Sequence, residues 1–273
     1  MINRIIPSSG EQIPILGMGT WKTFDVPLLP DAMKPLTEVL SIMHQSGGTV
    51  IDSSPMYGNA ETTIGLLTSG IPTHHNFFYA TKVWTTGKED GIRQMNDSFS
   101  RMKRDTIDLM QIHNLTDWKT HIKTLSDWKA EGKIRYIGIT HYTDAMHEEL
   151  EHVFSSEAID FVQFNYSIFS RHAEQRLLKA AADQGIATMI NRPLGEGRGL
   201  SKIAHLKLPH WAKENEIESW SQFVLLYLTL HPAVTVIIPA TGNPLHAREN
   251  YHTSNSMPDF AFRKKMLDYI NQL

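Results

Sequence analysis

The chain has 273 residues, no cysteine, 41% hydrophobic and 20% charged residues, and a formal charge of −3 from 26 basic and 29 acidic side chains. These values exclude disulfides, thiolate metal centres and Cys-x-x-Cys redox chemistry, and they leave no basic footprint for nucleic acid. The opening Met1-Ile2-Asn3-Arg4-Ile5-Ile6-Pro7 lacks a sustained apolar leader core, and no run approaches the ~18 apolar residues of a membrane helix, so a cytoplasmic protein is expected.

In chain order, short β-branched or aromatic runs alternate with segments of helical period. Strands are predicted at Ile15 to Gly19, Thr49 to Asp52, Phe77 to Lys82, Asp108 to His113, Ile134 to Thr140, Phe161 to Asn165, Ala187 to Asn191 and Val234 to Pro239. Helices are predicted near 31–46, 60–69, 88–104, 117–131, 143–156, 172–184, 210–230 and 244–252, with a terminal helix near 259–271. Thr143 or Asp144 is placed to cap a helix start, and Gly47, Gly132 and Gly185 fall where helices end in the left-handed conformation. The nearly continuous apolar run Val234-Thr235-Val236-Ile237-Ile238 suits a strand buried on both faces, hence a parallel sheet under helices.

Eight βα units at a spacing of about 30 residues predict a closed (β/α)₈ TIM barrel rather than an open doubly wound sheet. Gly17-Met18-Gly19-Thr20-Trp21 lacks the third glycine of a dinucleotide fingerprint. No linker or composition shift divides residues 1–273, so one domain is expected. The residues before Ile15 are predicted to form a hairpin closing the barrel's bottom.

In such a barrel the loops at the strands' C-terminal ends converge on one mouth. Asp52, Lys82 and His113 each end a neighbouring strand, and Tyr57 follows Asp52 in the Ser53-Ser54-Pro55-Met56-Tyr57-Gly58 loop. Singly, each has a structural explanation: a turn cap, a rim aromatic, a solvated lysine, a core histidine. Together they point to chemistry. A lysine ending an apolar strand needs a counter-ion, and Asp52 is the natural one. A tyrosine beside that lysine is expected to have its pKa lowered toward neutrality. With His113 as a second donor, the four suit a reaction in which negative charge develops on a carbonyl oxygen.

At this point the chain resembles the aldo-keto reductases. The likeness runs through Gly17 to Trp21, Asp52 to Gly58 with Glu61, Ala80 to Trp84, Asp108 to His113, Gly138 to Tyr142, Gln163 to Tyr166, Arg192 to Gly195 and Ile238 to Pro244. It implies that Asp52, Tyr57, Lys82 and His113 are the catalytic tetrad of an NAD(P)H-dependent oxidoreductase. Hydride from nicotinamide C4 would reduce an aldehyde or ketone to an alcohol, with Tyr57 as proton donor.

The resemblance further assigns Thr140, His141 and Gln163 to the nicotinamide carboxamide, with Gly19 and Thr20 also at the cofactor. His141 stands where asparagine is usual, and Asn191 where many relatives stack a tyrosine on the nicotinamide. Arg192, Pro193, Leu194 and Gly195 open a loop, 194–199, expected to cradle the phosphates. Ala240, Thr241, Asn243 and His246 occupy the segment that selects the adenosine 2′-phosphate, and Glu249 and Asn250 match adenine contacts. The usual lysine and arginine are replaced by Ala240 and His246, although Arg248 lies nearby. NADP(H) is favoured, with NAD(H) as the alternative. Trp21, Met56, Trp84 and Asn114 would form the substrate walls.

No metal is expected. The partner would be a small aldehyde or ketone, not nucleic acid or a membrane, acting on a monomer. Two other readings are a catalytically weak cofactor-binding sensor or interaction subunit of the same fold, and a metal-dependent barrel hydrolase using some of the 14 histidines. Against the hydrolase, no His-x-His ends the first strand, and His74-His75 precedes a strand at the opposite end.

Overall fold

The computed structural model describes residues 1–71, 76–252 and 258–273; His74 and His75 lie outside them. The chain opens with an antiparallel hairpin, β1 (Asn3–Ile5) and β2 (Gln12–Pro14). Eight parallel strands follow, each beside the next: β3 (Met18–Gly19), β4 (Val50–Asp52), β5 (Phe78–Val83), β6 (Ile107–His113), β7 (Ile134–Thr140), β8 (Phe161–Asn165), β9 (Ala187–Asn191) and β10 (Val236–Ile237). Parallel bridges Leu16↔Ile237 and Gly19↔Ala240 join the first of these to the last, making the expected (β/α)₈ barrel.

Strand side chains alternate between two environments with period two. Ile51, Val83, Ile112, Ile139, Val162 and Ile190 point outward into the larger apolar core with the helices. The other parity fills the barrel. At its lower end Val50, Phe78, Leu109, Tyr136, Phe161, Ala187 and Val236 pack together, and Ile6 and Ile13 of the hairpin segment plug them from below. Higher on the same strands the inward positions become polar: Asp52, Lys82, Gln111, His113, Thr140, Gln163, Asn165 and Asn191. The sheet therefore delivers a polar layer to its C-terminal mouth on an apolar foundation. Gly138 makes room within this layer, because a Cβ there would meet Gln111 Cγ at 2.8 Å.

Eleven α-helices lie among the described residues: α1 (Pro30–Gln45), α2 (Ala60–Ser69), α3 (Lys88–Met102), α4 (Trp118–Ala130), α5 (His147–Ser156), α6 (Leu177–Asp183), α7 (Arg198–Ile203), α8 (His210–Lys213), α9 (Trp220–Thr229), α10 (Pro244–Tyr251) and α11 (Phe260–Ile270). None is long and apolar enough to cross a membrane. Gly47, Gly132 and Gly185 have φ of +86°, +75° and +68°, the left-handed turns expected after α1, α4 and α6. Helix α11 is clasped to the barrel by Arg263, which donates to Glu174 Oε1 and Tyr166 Oη, both at 2.5 Å, and to the Tyr227 carbonyl at 3.2 Å.

Three expectations are corrected. The single helix expected at 210–230 is two, because Glu216 turns left-handed at φ 58° and Ser219 starts a new helix through a capping box with Gln222. Neither Thr143 nor Asp144 makes a side-chain helix cap: Asp144–Met146 form a 3₁₀ turn, and α5 begins at His147. The expected phosphate loop at 194–199 is largely helical, a 3₁₀ turn at Gly195–Gly197 running into α7, with Gly199 buried so closely on Phe169 that a Cβ would sit 2.3 Å from its ring.

Candidate active site

The centre of the mouth is an ion pair. Lys82 Nζ lies 2.8 Å from Asp52 Oδ2, with side-chain exposures of 0% and 3%, and Lys82 also donates to the Ser53 carbonyl at 2.6 Å. Asp52 Oδ1 accepts from Gln111 Nε2 at 2.9 Å and Gln163 Nε2 at 3.0 Å. A carboxylate so saturated is fixed in position, and it fixes the ammonium. Burial alone would lower the Lys82 pKa, but Asp52 and the Tyr57 oxygen outweigh it and hold the ammonium above its ordinary value. Lys82 is therefore a permanent cation in a dry site.

Tyr57 reaches over this cation from the loop after β4, with Lys82 Nζ 5.2 Å from its ring centroid. Burial raises the phenol's pKa more than Lys82 lowers it, and Asp52 adds to the rise. The expectation of a near-neutral phenol is thus overturned in the free protein: desolvation disfavours the phenolate more than the paired ammonium favours it. His113 stands edge-on to Tyr57, ring centroids 5.9 Å apart at 85°. Its Nδ1 is 3.0 Å from Ser54 Oγ, and burial, reinforced by Lys82, holds its pKa at about 2. His113 is neutral, with Nδ1 and the Ser54 hydroxyl sharing a hydrogen bond in which either can be the donor.

Around this centre, Trp21, Met56 and Trp84 are 41%, 38% and 42% exposed, enough to meet a ligand, and Trp84 lies 6.3 Å from the His113 ring. Asn114 follows His113 in a left-handed conformation, φ 55°, with its Oδ1 buried and unpartnered. Thr20, also buried, bonds the Asp52 carbonyl and Ser53 Oγ, while Gly19 is packed so closely on the Ile238 carbonyl that a Cβ would lie 2.9 Å from it.

On the far side, the Gln163 amide is already engaged, with Nε2 on Asp52 and Gln111 and Oε1 accepting from Thr140 at 3.2 Å. His141 Nδ1 accepts from the Thr143 backbone and hydroxyl, which leaves its proton on Nε2. Its ring stacks on Tyr142 at 5.1 Å, and the Arg192 guanidinium covers Tyr142 at 4.3 Å while pairing with Glu196 at 2.8 Å. Arg192 itself is left-handed at φ 52°. Asn191 donates to the His141 carbonyl at 3.3 Å and keeps a buried Oδ1 without a partner.

Pro193 is buried, Leu194 is half-buried, and Gly195 closes a turn onto the Arg192 carbonyl. Beyond β10, Ala240 and His246 are exposed, Thr241 and Asn243 bond one another, and Arg248 pairs with Glu38 at 2.8 Å. Glu249 accepts from Ser221, and Asn250 is 3% exposed, leaving almost no surface for a ligand.

Sequence reasoning missed Gln111, Ser54 and Tyr142. Gln111 was within reach: it lies two residues before His113 and therefore on the same inward face of β6. Ser54 and Tyr142 carry no comparable signal, since their partners come from other units.

A closed parallel barrel with its charged and polar side chains gathered at the C-terminal mouth is the architecture of a barrel enzyme. Comparison with known proteins specifies which. The model of the Aldo/keto reductase family matches residues 15–273, and the chain belongs to that family. It is 28% identical over 263 residues to methylglyoxal reductase YeaE of Escherichia coli, covering 92% of this chain and 89% of that protein. An NADH-specific methylglyoxal reductase of the same organism is 27% identical, covering 76% and 71%. The fold matches an aldo-keto reductase from Klebsiella pneumoniae crystallised with NADPH, with a TM-score of 0.82, 22% identity, and coverage of 99% of this chain and 96% of that one.

Proposed function

We propose that this protein reduces small aldehydes or ketones to alcohols with a nicotinamide dinucleotide, and that Tyr57 supplies the proton. The observation that carries the reading is the buried Lys82–Asp52 ion pair beneath Tyr57, with neutral His113 edge-on beside it. Two donors suit one carbonyl oxygen: the Tyr57 hydroxyl and, in the tautomer where Ser54 donates to Nδ1, the Nε2–H of His113. As that oxygen gains charge, Tyr57 passes its proton across, and Lys82 stabilises the phenolate left behind. His113 orients the carbonyl as a neutral donor. Trp21, Met56 and Trp84 give apolar walls on an open rim.

The residues present fit a nicotinamide. The unpartnered Asn191 Oδ1 and the free Nε2–H of His141 are a complementary acceptor and donor for a carboxamide, beside Thr140 and Gln163. When bound, the cofactor supplies a hydride from C4. Arg192 and the backbone through Gly195 are assigned to its phosphates, and Gly19, Thr20, Ala240, Thr241, Asn243, His246 and Glu249 to the rest, with Asn250 supporting from within α10. NADP(H) is preferred, Arg248 being the cation of α10; the NADH-specific relative makes NAD(H) the alternative.

The test is turnover of methylglyoxal, named for both relatives, with NADPH and NADH assayed separately. The expected result is reduction with either cofactor and a higher kcat/KM for NADPH. Fluorescence quenching by both cofactors, with no reduction of methylglyoxal or a panel of aryl aldehydes and ketones, would instead establish a cofactor sensor.

A further inference from the structure

Apart from the mouth's centre, a second group of side chains among the described residues has the makings of a site. Asp144 lies in the 3₁₀ turn after β7, His147 opens α5, and His172 opens the 3₁₀ turn after β8. One ligand atom from each falls within 4.8 Å of the others. His147 Nδ1 and His172 Nδ1 face each other at 3.0 Å.

Asn165, the last residue of β8, determines what His147 presents. Its Nδ2 donates to Asp144 Oδ1 at 2.5 Å, and its Oδ1 is 3.1 Å from His147 Nε2. A carboxylate only accepts, so the amide nitrogen must face Asp144 and the amide oxygen must face His147. His147 therefore carries its proton on Nε2, and its Nδ1 lone pair is turned on His172. His147 is 4% exposed and packs edge-on against Phe164, so this orientation is held.

Ligating histidines characteristically donate their second ring N–H to a fixed acceptor, and ligating carboxylates are themselves hydrogen-bonded. Asn165 meets both requirements with one side chain, and Ser170 Oγ adds a bond to Asp144 Oδ2 at 3.2 Å. Nitrogens on a tetrahedral zinc, bonded at about 2.0–2.1 Å, stand about 3.3 Å apart, within a few tenths of the observed spacing. Two imidazoles and one carboxylate suit zinc-like ions; magnesium and calcium demand oxygen cages.

We propose that Asp144, His147 and His172 form a binding site for one divalent transition-metal ion of the zinc type, with its fourth position open to solvent on the His172 side. Such an ion would staple the loop after β7 to the loop after β8. Its role is structural and separate from the carbonyl chemistry. The histidines are 25 residues apart in sequence and meet only because β7 and β8 are neighbours, so no spacing motif marks them.

The test is zinc titration of the chelator-treated full-length chain against a chromophoric competitor, alongside His172→Ala and Asp144→Asn. His172 is exposed, so its removal is expected to leave the metal-free melting temperature unchanged. The wild type is expected to take up one zinc ion at a saturable site that excess magnesium does not displace. Loss of a direct ligand in His172→Ala should weaken binding at least about a hundredfold, the upper range for loss of an outer partner. Cobalt substitution should give the intense visible absorption of a tetrahedral site in the wild type and not in the variant. Equal zinc affinity in wild type and His172→Ala, or displacement by magnesium, would overturn the proposal.

Discussion

Lys82→Met is expected to cost the protein both its turnover and a large part of its stability. The ammonium it removes is fully buried against an almost fully buried carboxylate. Asp52 would keep its amide donors from Gln111 and Gln163 but lose its only charge partner among the described residues. Leaving one member of a buried pair uncompensated costs about 3–5 kcal/mol. Denaturant unfolding would measure that loss, and adding Asp52→Asn to the same chain should recover most of it, because a neutral amide tolerates the dry site. Activity should not return with stability. The double variant still lacks the cation that stabilises a phenolate on Tyr57, so kcat is expected to remain about a thousandfold down.

Tyr57→Phe should do the reverse, sparing the fold and removing the reaction. The phenol oxygen is the lesser partner of Lys82, which keeps Asp52 and the Ser53 carbonyl without it. The ring remains to pack against His113. Loss of a positioned proton donor costs about 10²–10⁴-fold in rate. Steady-state assays should therefore show kcat reduced by that factor, with melting temperature and cofactor affinity held. Turnover equal to the wild type would assign the proton to another group.

Much of this site was legible because barrel physics concentrates function at strand ends. β7, β8 and β9 coincide with their predicted spans, since each is a short, mostly apolar run that ends on a polar residue, Thr140, Asn165 and Asn191. β3 and β10 are much shorter than expected, because closure at that seam relies on isolated bridges rather than on a continuous ladder. The break between α8 and α9 was readable in principle from Ser219-Trp220-Ser221-Gln222, a capping-box sequence that the apolar run around it obscured. The balance between burial and charge is set by the fold and not by any one stretch of sequence. The ammonium beside Tyr57 was foreseen, but whether it outweighs the phenol's burial depends on how deeply the loop after β4 sits, and here burial wins. Likewise the engagement of Gln163 with Asp52 crosses the barrel from β8 to β4, a contact fixed by closure rather than by sequence proximity.

In the free protein Tyr57 waits as a protonated acid over a charged Lys82. NMR of the free protein carrying isotope-labelled tyrosine, with Tyr57→Phe used to assign its resonance, reads that state directly across a pH titration. The phenol is expected to remain protonated through neutral pH and to ionise only above its ordinary value of 10.0, and to move higher still when Lys82 is replaced by Met. A Tyr57 resonance that titrates near neutral pH, or that is indifferent to Lys82, would contradict it.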